Sequence, residues 1–157
     1  MNKSPKKCII TLKDVNKVNF KKSSRPLILN LKNKKKIGSG SYNNAYLTSI
    51  KNDCKEANKK VIYRITQDKI DSPKLFKQEI KMAIEMGKAD SGPKIYEAGI
   101  DTHKKGWIIM EHFSSNLRTT LDGNKKIPWK IIENGLLKPL RNMAKLDIFC
   151  SDLKFRN

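Results

Sequence analysis

The fold of this chain is predicted from one octapeptide, Cys150-Ser151-Asp152-Leu153-Lys154-Phe155-Arg156-Asn157. A lysine follows the aspartate by two residues, and an asparagine follows it by five. A loop with this spacing can aim a carboxylate at a hydroxyl group, while the lysine meets a phosphate and the asparagine amide oxygen meets a metal ion. A polar C-terminal tail would explain the same residues if nothing upstream agreed with them. The rest of the chain therefore decides between the two interpretations.

The composition indicates one soluble globular domain. The chain has 157 residues, of which 38% are hydrophobic and 31% charged, a balance typical of a protein with a core rather than a disordered one. Three scattered cysteines and two histidines provide neither a disulfide framework nor a zinc site. No apolar run approaches the ~20 residues that span a bilayer, and the lysine-rich start lacks the apolar segment of a signal peptide. We therefore expect a cytoplasmic protein without a membrane segment.

The net charge of +19 predicts non-specific binding to polyanions at low salt. Lysine outnumbers arginine 29 to 5, whereas recognition of phosphates and bases favours arginine. The positive charge is also spread along the whole chain instead of forming one stripe. A basic nucleic-acid-binding protein is therefore the less favoured hypothesis, although it stays open.

A glycine pair occurs early in the compact part of the chain, within Lys36–Leu47. The residues that follow Gly38 and Gly40, from Tyr46 to Ile50, are strand-like and do not begin a helix. This disfavours a Rossmann or P-loop phosphate site, in which the glycines lead into a helix. The sequence predicts a strand, a glycine turn and a second strand, for which an ordinary hairpin turn is the alternative interpretation.

The segment Lys60–Thr66 is predicted as a buried strand, and Arg64 interrupts its apolar run. A guanidinium in this position needs an acidic partner or, if the strand lies at the edge of a sheet, a way out to solvent. The two alternatives place Arg64 in different surroundings.

A helix is predicted to begin at Pro73, with Ser72 or Asp71 as its N-cap, and to stop at Gly87. Helical spacing places four of its residues on one face: Leu75, Glu79, Met82 and Met86. A carboxylate on an apolar face is costly unless it is paired, and we expect Glu79 to pair with Arg64. Glu85 is the competing carboxylate.

Two further strands are predicted at Gly92–Ile100 and Gly106–Glu111, with Thr102–Lys105 as their turn, which would complete a five-stranded antiparallel sheet. A short helix is predicted over Ser115–Leu121, and Pro128 opens a longer one. That helix has an apolar stripe, and Gly135 and Pro139 predict a bend or a weak interior. The stripe comprises Ile131, Ile132, Leu136, Leu137, Leu140, Met143, Ala144 and Ile148.

Glycine turn, strand-borne cation, helix-borne carboxylate, apolar final strand and D-L-K-F-R-N occur in this order, and together they resemble a protein kinase over Lys34 to Asn157. Arg64 and Cys150-Ser151 also resemble the divergent kinase-like proteins of large DNA viruses. The resemblance implies an α+β fold. Its N-lobe, a five-stranded antiparallel sheet plus one main helix, is followed by the first helices of an incomplete C-lobe. The domains would be a basic arm at 1–26, the N-lobe and hinge at 27–113, and a partial C-lobe at 114–157.

The resemblance also implies roles for individual residues, with ATP and Mg²⁺ as cofactors. Asp152 would be the catalytic base, Lys154 would steady the γ-phosphate, and Asn157 would bind the metal. Met110 would stand where the strand enters the hinge. The residues that would contact or position the nucleotide are Ile37, Gly38, Gly40, Ala45, Arg64, Glu79, Glu111 and Phe113.

Several residues depart from the kinase pattern. Asn43 replaces the third glycine and is expected to keep the turn because asparagine tolerates positive φ. Ala45 replaces the valine that covers adenine, and Arg64 replaces the lysine of V-A-I-K. Cys150-Ser151 replaces the His-Arg of H-R-D, and the chain, whose last residue is Asn157, contains no D-F-G segment.

We therefore expect a serine/threonine protein-kinase-like protein that is inactive or severely impaired as this truncated chain. A truncated pseudokinase or interaction module, which binds nucleotide weakly or not at all, is the alternative. Without a complete C-lobe, the apolar stripe of the last helix is expected either to be left exposed or to pack on a protein partner.

Overall fold

A computed structural model of the chain describes residues 29–51, 58–115, 122–123 and 126–148. The predictions for the basic arm at 1–26, for the short helix over Ser115–Leu121 and for the octapeptide Cys150–Asn157 lie outside these residues, apart from Ser115 itself.

Five strands form one antiparallel sheet in the order β1-β2-β3-β5-β4. The strands are β1 Lys35–Ser39, β2 Asn43–Ser49, β3 Lys60–Thr66, β4 Ile95–Ile100 and β5 Gly106–Glu111. The described helices are α1 Pro73–Lys88 and α2 Trp129–Ala144, and a single 3-10 turn spans Leu31–Asn33. The prediction of an α+β fold with a five-stranded antiparallel sheet is confirmed.

One face of the sheet holds the main core. Val61, Trp107 and Ile109 are buried there and pack with Ile50, which follows β2 and bridges to Leu29. These residues alternate along β3 and β5 with others on the opposite face, because successive side chains of a strand point to opposite sides. Burial of apolar area on this face stabilises the sheet.

Tyr63 is partly buried and packs against this core. Its ring lies beside that of Tyr46, with the two centroids 6.3 Å apart. Burial raises the pKa of Tyr63, and the negative charges of Asp101 and of ionised Tyr46 raise it further. The phenol therefore stays neutral at physiological pH.

Helix α1 begins as predicted, because the Ser72 hydroxyl accepts a hydrogen bond from the Leu75 amide at 3.3 Å. It continues through Gly87, where it was predicted to stop, and ends at Lys88, two residues beyond Met86.

The chain leaves helix α1 through Asp90, which has a φ of 53°, and the Ser91 amide donates to the Met86 carbonyl at 2.8 Å. This hydrogen bond is the one that closes a Schellman motif, so the helix ends with a left-handed residue, Asp90, and not at Gly87.

The predicted apolar face of α1 is wrong. Leu75 and Met82 are 65% and 51% exposed, whereas Phe76, Ile80 and Gly87 are buried. Both sets of positions fit the helical period, and packing selects the second. A Cβ on Gly87 would lie only 2.9 Å from the Pro93 carbonyl oxygen, so this close approach requires glycine.

The described residues form two compact units. The first contains the sheet and α1 as far as Lys81, ending at His112. The second contains Met82–Lys94 and the described residues from Phe113 onward. Within the second unit, the turn after α1 binds α2: the Ser91 hydroxyl donates to the Pro139 carbonyl at 3.1 Å, and the Asn142 amide donates to the Ala89 carbonyl at 2.6 Å.

Helix α2 is continuous through Gly135 and Pro139. It ends at Ala144, and Asp147 has a φ of 55°, so the expectation that Ile148 continues the helical stripe is wrong. Met143 is buried, while Trp129 and Ile131 are 69% and 61% exposed. The protein partner expected over this helix stays a prediction. Neither described helix has the length and apolar character needed to cross a membrane.

Candidate functional site

The glycine turn joins two antiparallel strands. The Gly40 amide donates to the Asn43 carbonyl at 2.9 Å, and Ser39 pairs with Asn44 across the hairpin. The strand, turn and strand prediction is confirmed, and a Rossmann or P-loop arrangement is excluded at this position because β2 follows the turn. The turn is kept with Asn43 in place of the third glycine, as expected, but Asn43 does so without a positive φ, since it is already part of β2.

Three predicted site residues form one row across the sheet. Gly38 of β1 pairs with Ala45 of β2, and Ala45 pairs with Arg64 of β3. Directly paired residues of antiparallel strands have their side chains on the same face. The Arg64 side chain therefore leaves the sheet on the face that Ala45 and Gly38 share.

Arg64 and Glu79 form the predicted ion pair, in which guanidinium Nη2 donates to carboxylate Oε1. Because β3 is the middle strand of five, the alternative of an edge-strand arginine is wrong. The competing carboxylate, Glu85, instead accepts a hydrogen bond from Lys88 at 2.6 Å.

The ion pair is only partly buried. The side chains of Arg64 and Glu79 are 26% and 51% exposed, so Glu79 does not lie on the buried face of α1 as predicted. The pair adds little to stability for this reason. Its guanidinium is oriented by a carboxylate and remains accessible to an anionic ligand.

An apolar strip runs beside Arg64 on the same face of the sheet. Leu47, Ile62 and Met110 pair with one another across β2, β3 and β5, two residues along their strands from the Ala45–Arg64 row. They are half-buried, as is Ala45, whereas Ile108 in the row is buried. The strip can contact a planar apolar group beside a bound anion. Sequence analysis missed Leu47 and Ile62, because their common face depends on strand register.

The chain matches no protein-family model and no curated protein sequence. The function of the site is therefore inferred from geometry and residue chemistry.

The other residues predicted for the site are not part of the row formed by Gly38, Ala45 and Arg64. Ile37 is 49% exposed at the β-bulge in β1. Glu111 pairs with Val61, so its side chain points to the face opposite Arg64, although its backbone ends β5 next to Met110. Phe113 is 60% exposed and belongs to the second unit. The predicted catalytic and metal-binding residues Asp152, Lys154 and Asn157 lie outside the described part of the chain.

The residue that replaces the third glycine adds a polar atom to the site. Asn43 pairs with Thr66, which places it on the face of Ala45 and Arg64. Its Oδ1 is buried and has no hydrogen-bond partner among the described residues. Rotation of the amide group can present either its oxygen or its NH₂ group, so this side chain can meet an acceptor or a donor of a ligand.

Metal ligands are not clustered in the described ranges. No group of three or more His, Cys, Asp or Glu side chains there could hold a metal ion. The row, the ion pair and the apolar strip place a partly exposed guanidinium beside half-buried apolar side chains on one face of the sheet.

Proposed function

We propose that this chain is the nucleotide-binding part of a protein-kinase-like serine/threonine phosphotransferase that uses ATP and Mg²⁺. The main supporting observation is that Arg64 lies directly opposite Ala45 of the glycine hairpin and pairs with Glu79 of α1. In protein kinases, a lysine on the third strand pairs with a helix glutamate and holds the nucleotide phosphates beneath the glycine loop. Arg64 would take the place of that lysine.

The residues of the site fit a nucleotide in three ways. Backbone amides of the turn around Gly40 would face the phosphates, as expected for a glycine turn. The guanidinium of Arg64 would bind phosphate oxygens with donors that Glu79 does not use, since its planar fork has five of them. Ala45, Leu47, Ile62 and Met110 would contact the base. Bound ATP would supply the phosphoryl group for transfer.

The catalytic roles stay predictions that depend on the sequence pattern. Asp152 would accept the proton of the substrate hydroxyl, Lys154 would bind the γ-phosphate, and Asn157 would bind Mg²⁺. Phosphoryl transfer depends on positioned charge around the phosphates, so each of these residues would act through electrostatics and orientation.

The proposal is tested by measuring ATP binding and phosphoryl transfer with the full chain. We expect ATP to raise the midpoint of thermal unfolding, because a ligand that binds only the folded state stabilises it, by about 2.7 kcal/mol at a concentration of 100 times Kd. Any transfer of radiolabelled phosphate with Mg²⁺ or Mn²⁺ should disappear in Asp152→Asn.

The alternatives give different results in the same experiments. Stabilisation by ATP without any transfer would favour the pseudokinase or interaction module. Absence of ATP binding, together with sequence-dependent binding to DNA or RNA, would favour the nucleic-acid hypothesis.

Ile62→Ala is expected to raise ATP affinity several-fold. Ile62 occupies the alanine position of the V-A-I-K pattern, and its branched side chain fills part of the strip between Leu47 and Met110. Truncation would open room for the base at a stability cost of about 1 kcal/mol, since the residue is half-buried. Isothermal titration with ATP measures the effect.

The matched control for Ile62→Ala is Ile65→Ala on the same strand. Ile65 packs against the main core on the opposite face, so its truncation should reduce stability and leave ATP affinity unchanged. A lower ATP affinity in Ile62→Ala would contradict the proposed location of the base.

A further inference from the structure

Gln67 binds the glycine turn at three points. Its side-chain Nε2 donates to the Gly40 carbonyl at 2.5 Å and lies 3.4 Å from the Ser39 hydroxyl oxygen. Its backbone amide donates to the Tyr42 carbonyl at 2.9 Å. Gln67 directly follows β3, so the strand that contains Arg64 also holds the turn.

Gln67 is itself held by the turn between β4 and β5. The Lys105 ammonium donates to the Gln67 carbonyl at 2.6 Å. The Asp101 carboxylate in turn accepts hydrogen bonds from the backbone amides of Lys105, at 2.8 Å, and His103, at 2.9 Å. The glycine turn is therefore connected through Gln67 to a second, well-bonded turn at the same end of the sheet.

Gln67 approaches the glycine turn from the face opposite Arg64. The Ser39 hydroxyl, which Gln67 contacts, donates to Asn44 Oδ1 at 2.8 Å. Ser39 and Asn44 are paired neighbours of Gly38 and Ala45, so their side chains lie on the other side of the sheet. The Gly40 carbonyl is thus held toward the Ser39 side.

The direction of the Gly40 carbonyl also determines the direction of the Ser41 amide N–H. The Gly40 carbonyl and the Ser41 N–H belong to one planar trans peptide unit, in which they point opposite ways. With the carbonyl held toward Ser39, the Ser41 N–H is expected to point toward the face of Arg64. Glycine offers little steric resistance to rotation of this peptide unit, so the hydrogen bond from Gln67 to the Gly40 carbonyl helps to fix it.

We propose that Gln67 is a positioning residue for nucleotide phosphates, because it aims the Ser41 amide at the anion that Arg64 binds. This inference rests on the proposed nucleotide function. A donor that is already oriented binds an anion without first losing conformational freedom, so the hydrogen bonds of Gln67 increase affinity for the phosphates alone. The base and ribose do not depend on it.

The test compares ATP with adenosine in Gln67→Met, which keeps the length of the side chain and removes its donor. ATP affinity should fall about five- to tenfold, the effect of roughly one lost oriented hydrogen bond, while adenosine affinity stays unchanged. Gln78→Met, an exposed position on α1, is the matched control and should change neither affinity. Isothermal titration or competition against a fluorescent nucleotide gives both values, and retained adenosine binding shows that the variant is folded.

Two results would overturn the inference alone: unchanged ATP affinity in Gln67→Met, or equal losses for ATP and adenosine. Amide hydrogen exchange at Ser41 in the nucleotide-free protein provides a second measurement, and it should become faster in Gln67→Met but not in Gln78→Met. Unchanged exchange would also contradict the inference. If the wild-type chain binds neither ATP nor adenosine, the proposed function fails and this inference fails with it.

Discussion

Arg64→Met is expected to lower ATP affinity about 10- to 100-fold and to change the free energy of unfolding by less than about 1 kcal/mol. Hydrogen bonds between a guanidinium and phosphate oxygens join two charged groups and contribute more than neutral ones. The ion pair with Glu79, in contrast, is 26% and 51% exposed on its two sides, so solvent screens its contribution to stability. Titration with ATP and urea unfolding of the same variant separate the two effects.

Three further variants sharpen this prediction. Glu79→Gln keeps the guanidinium but weakens its orientation, so it should cost less affinity than Arg64→Met. Arg64→Lys keeps the charge and should retain part of the affinity, although an ammonium is not a planar fork. Arg141→Met removes an exposed positive charge from α2 and is the control for net charge.

Equal losses of ATP affinity in Arg64→Met and Arg141→Met would contradict the proposed site. ATP would then be bound by the overall charge of +19, as any polyanion would be, and the affinity would fall steeply with salt in both variants. A loss confined to Arg64 would support a specific phosphate contact.

Ile80→Ala is expected to lower the free energy of unfolding by about 2–5 kcal/mol, the usual cost of truncating a fully buried aliphatic side chain. Ile80 is 0% exposed and is one of the largest fully buried residues of the described chain. It lies in the middle of α1 and follows Glu79 directly, so a loosened helix should also weaken ATP binding. Urea unfolding followed by circular dichroism measures the stability, and titration measures the affinity.

Leu75→Ala on the same helix is the matched control for Ile80→Ala. Leu75 is 65% exposed, so its truncation should cost less than about 1 kcal/mol. The opposite order of the two costs would contradict the packing face assigned to α1. It would instead support the face predicted from helical spacing.

Local sequence patterns were sufficient to predict most of the secondary structure. The bounds of β3 and β5, the cap at Ser72 and the glycine hairpin all follow from short-range rules on apolar runs, caps and turns. The pairing of Arg64 with Glu79 was also predicted, because a cation within an apolar strand needs a partner. The other premise of that prediction was wrong, since Glu79 is 51% exposed and does not lie on the buried face of α1.

Other features depend on contacts between distant segments. Two stripes of α1 fit the helical period equally well, and packing against neighbours such as Gly106 and Pro93 selects the one with Phe76 and Gly87. The strip of Leu47, Ile62 and Met110 exists because of the register of three strands, which no single strand specifies.

The sequence by itself determined which elements form and which two charges meet. The tertiary structure decided which faces those elements bury and how Gln67 holds the glycine turn. The physical reason is the range of the interactions. Caps, turns and helical periodicity act over a few residues, whereas the packing of Phe76 beside Gly106 joins residues 30 positions apart and the hydrogen bond from Gln67 to Gly40 joins residues 27 positions apart.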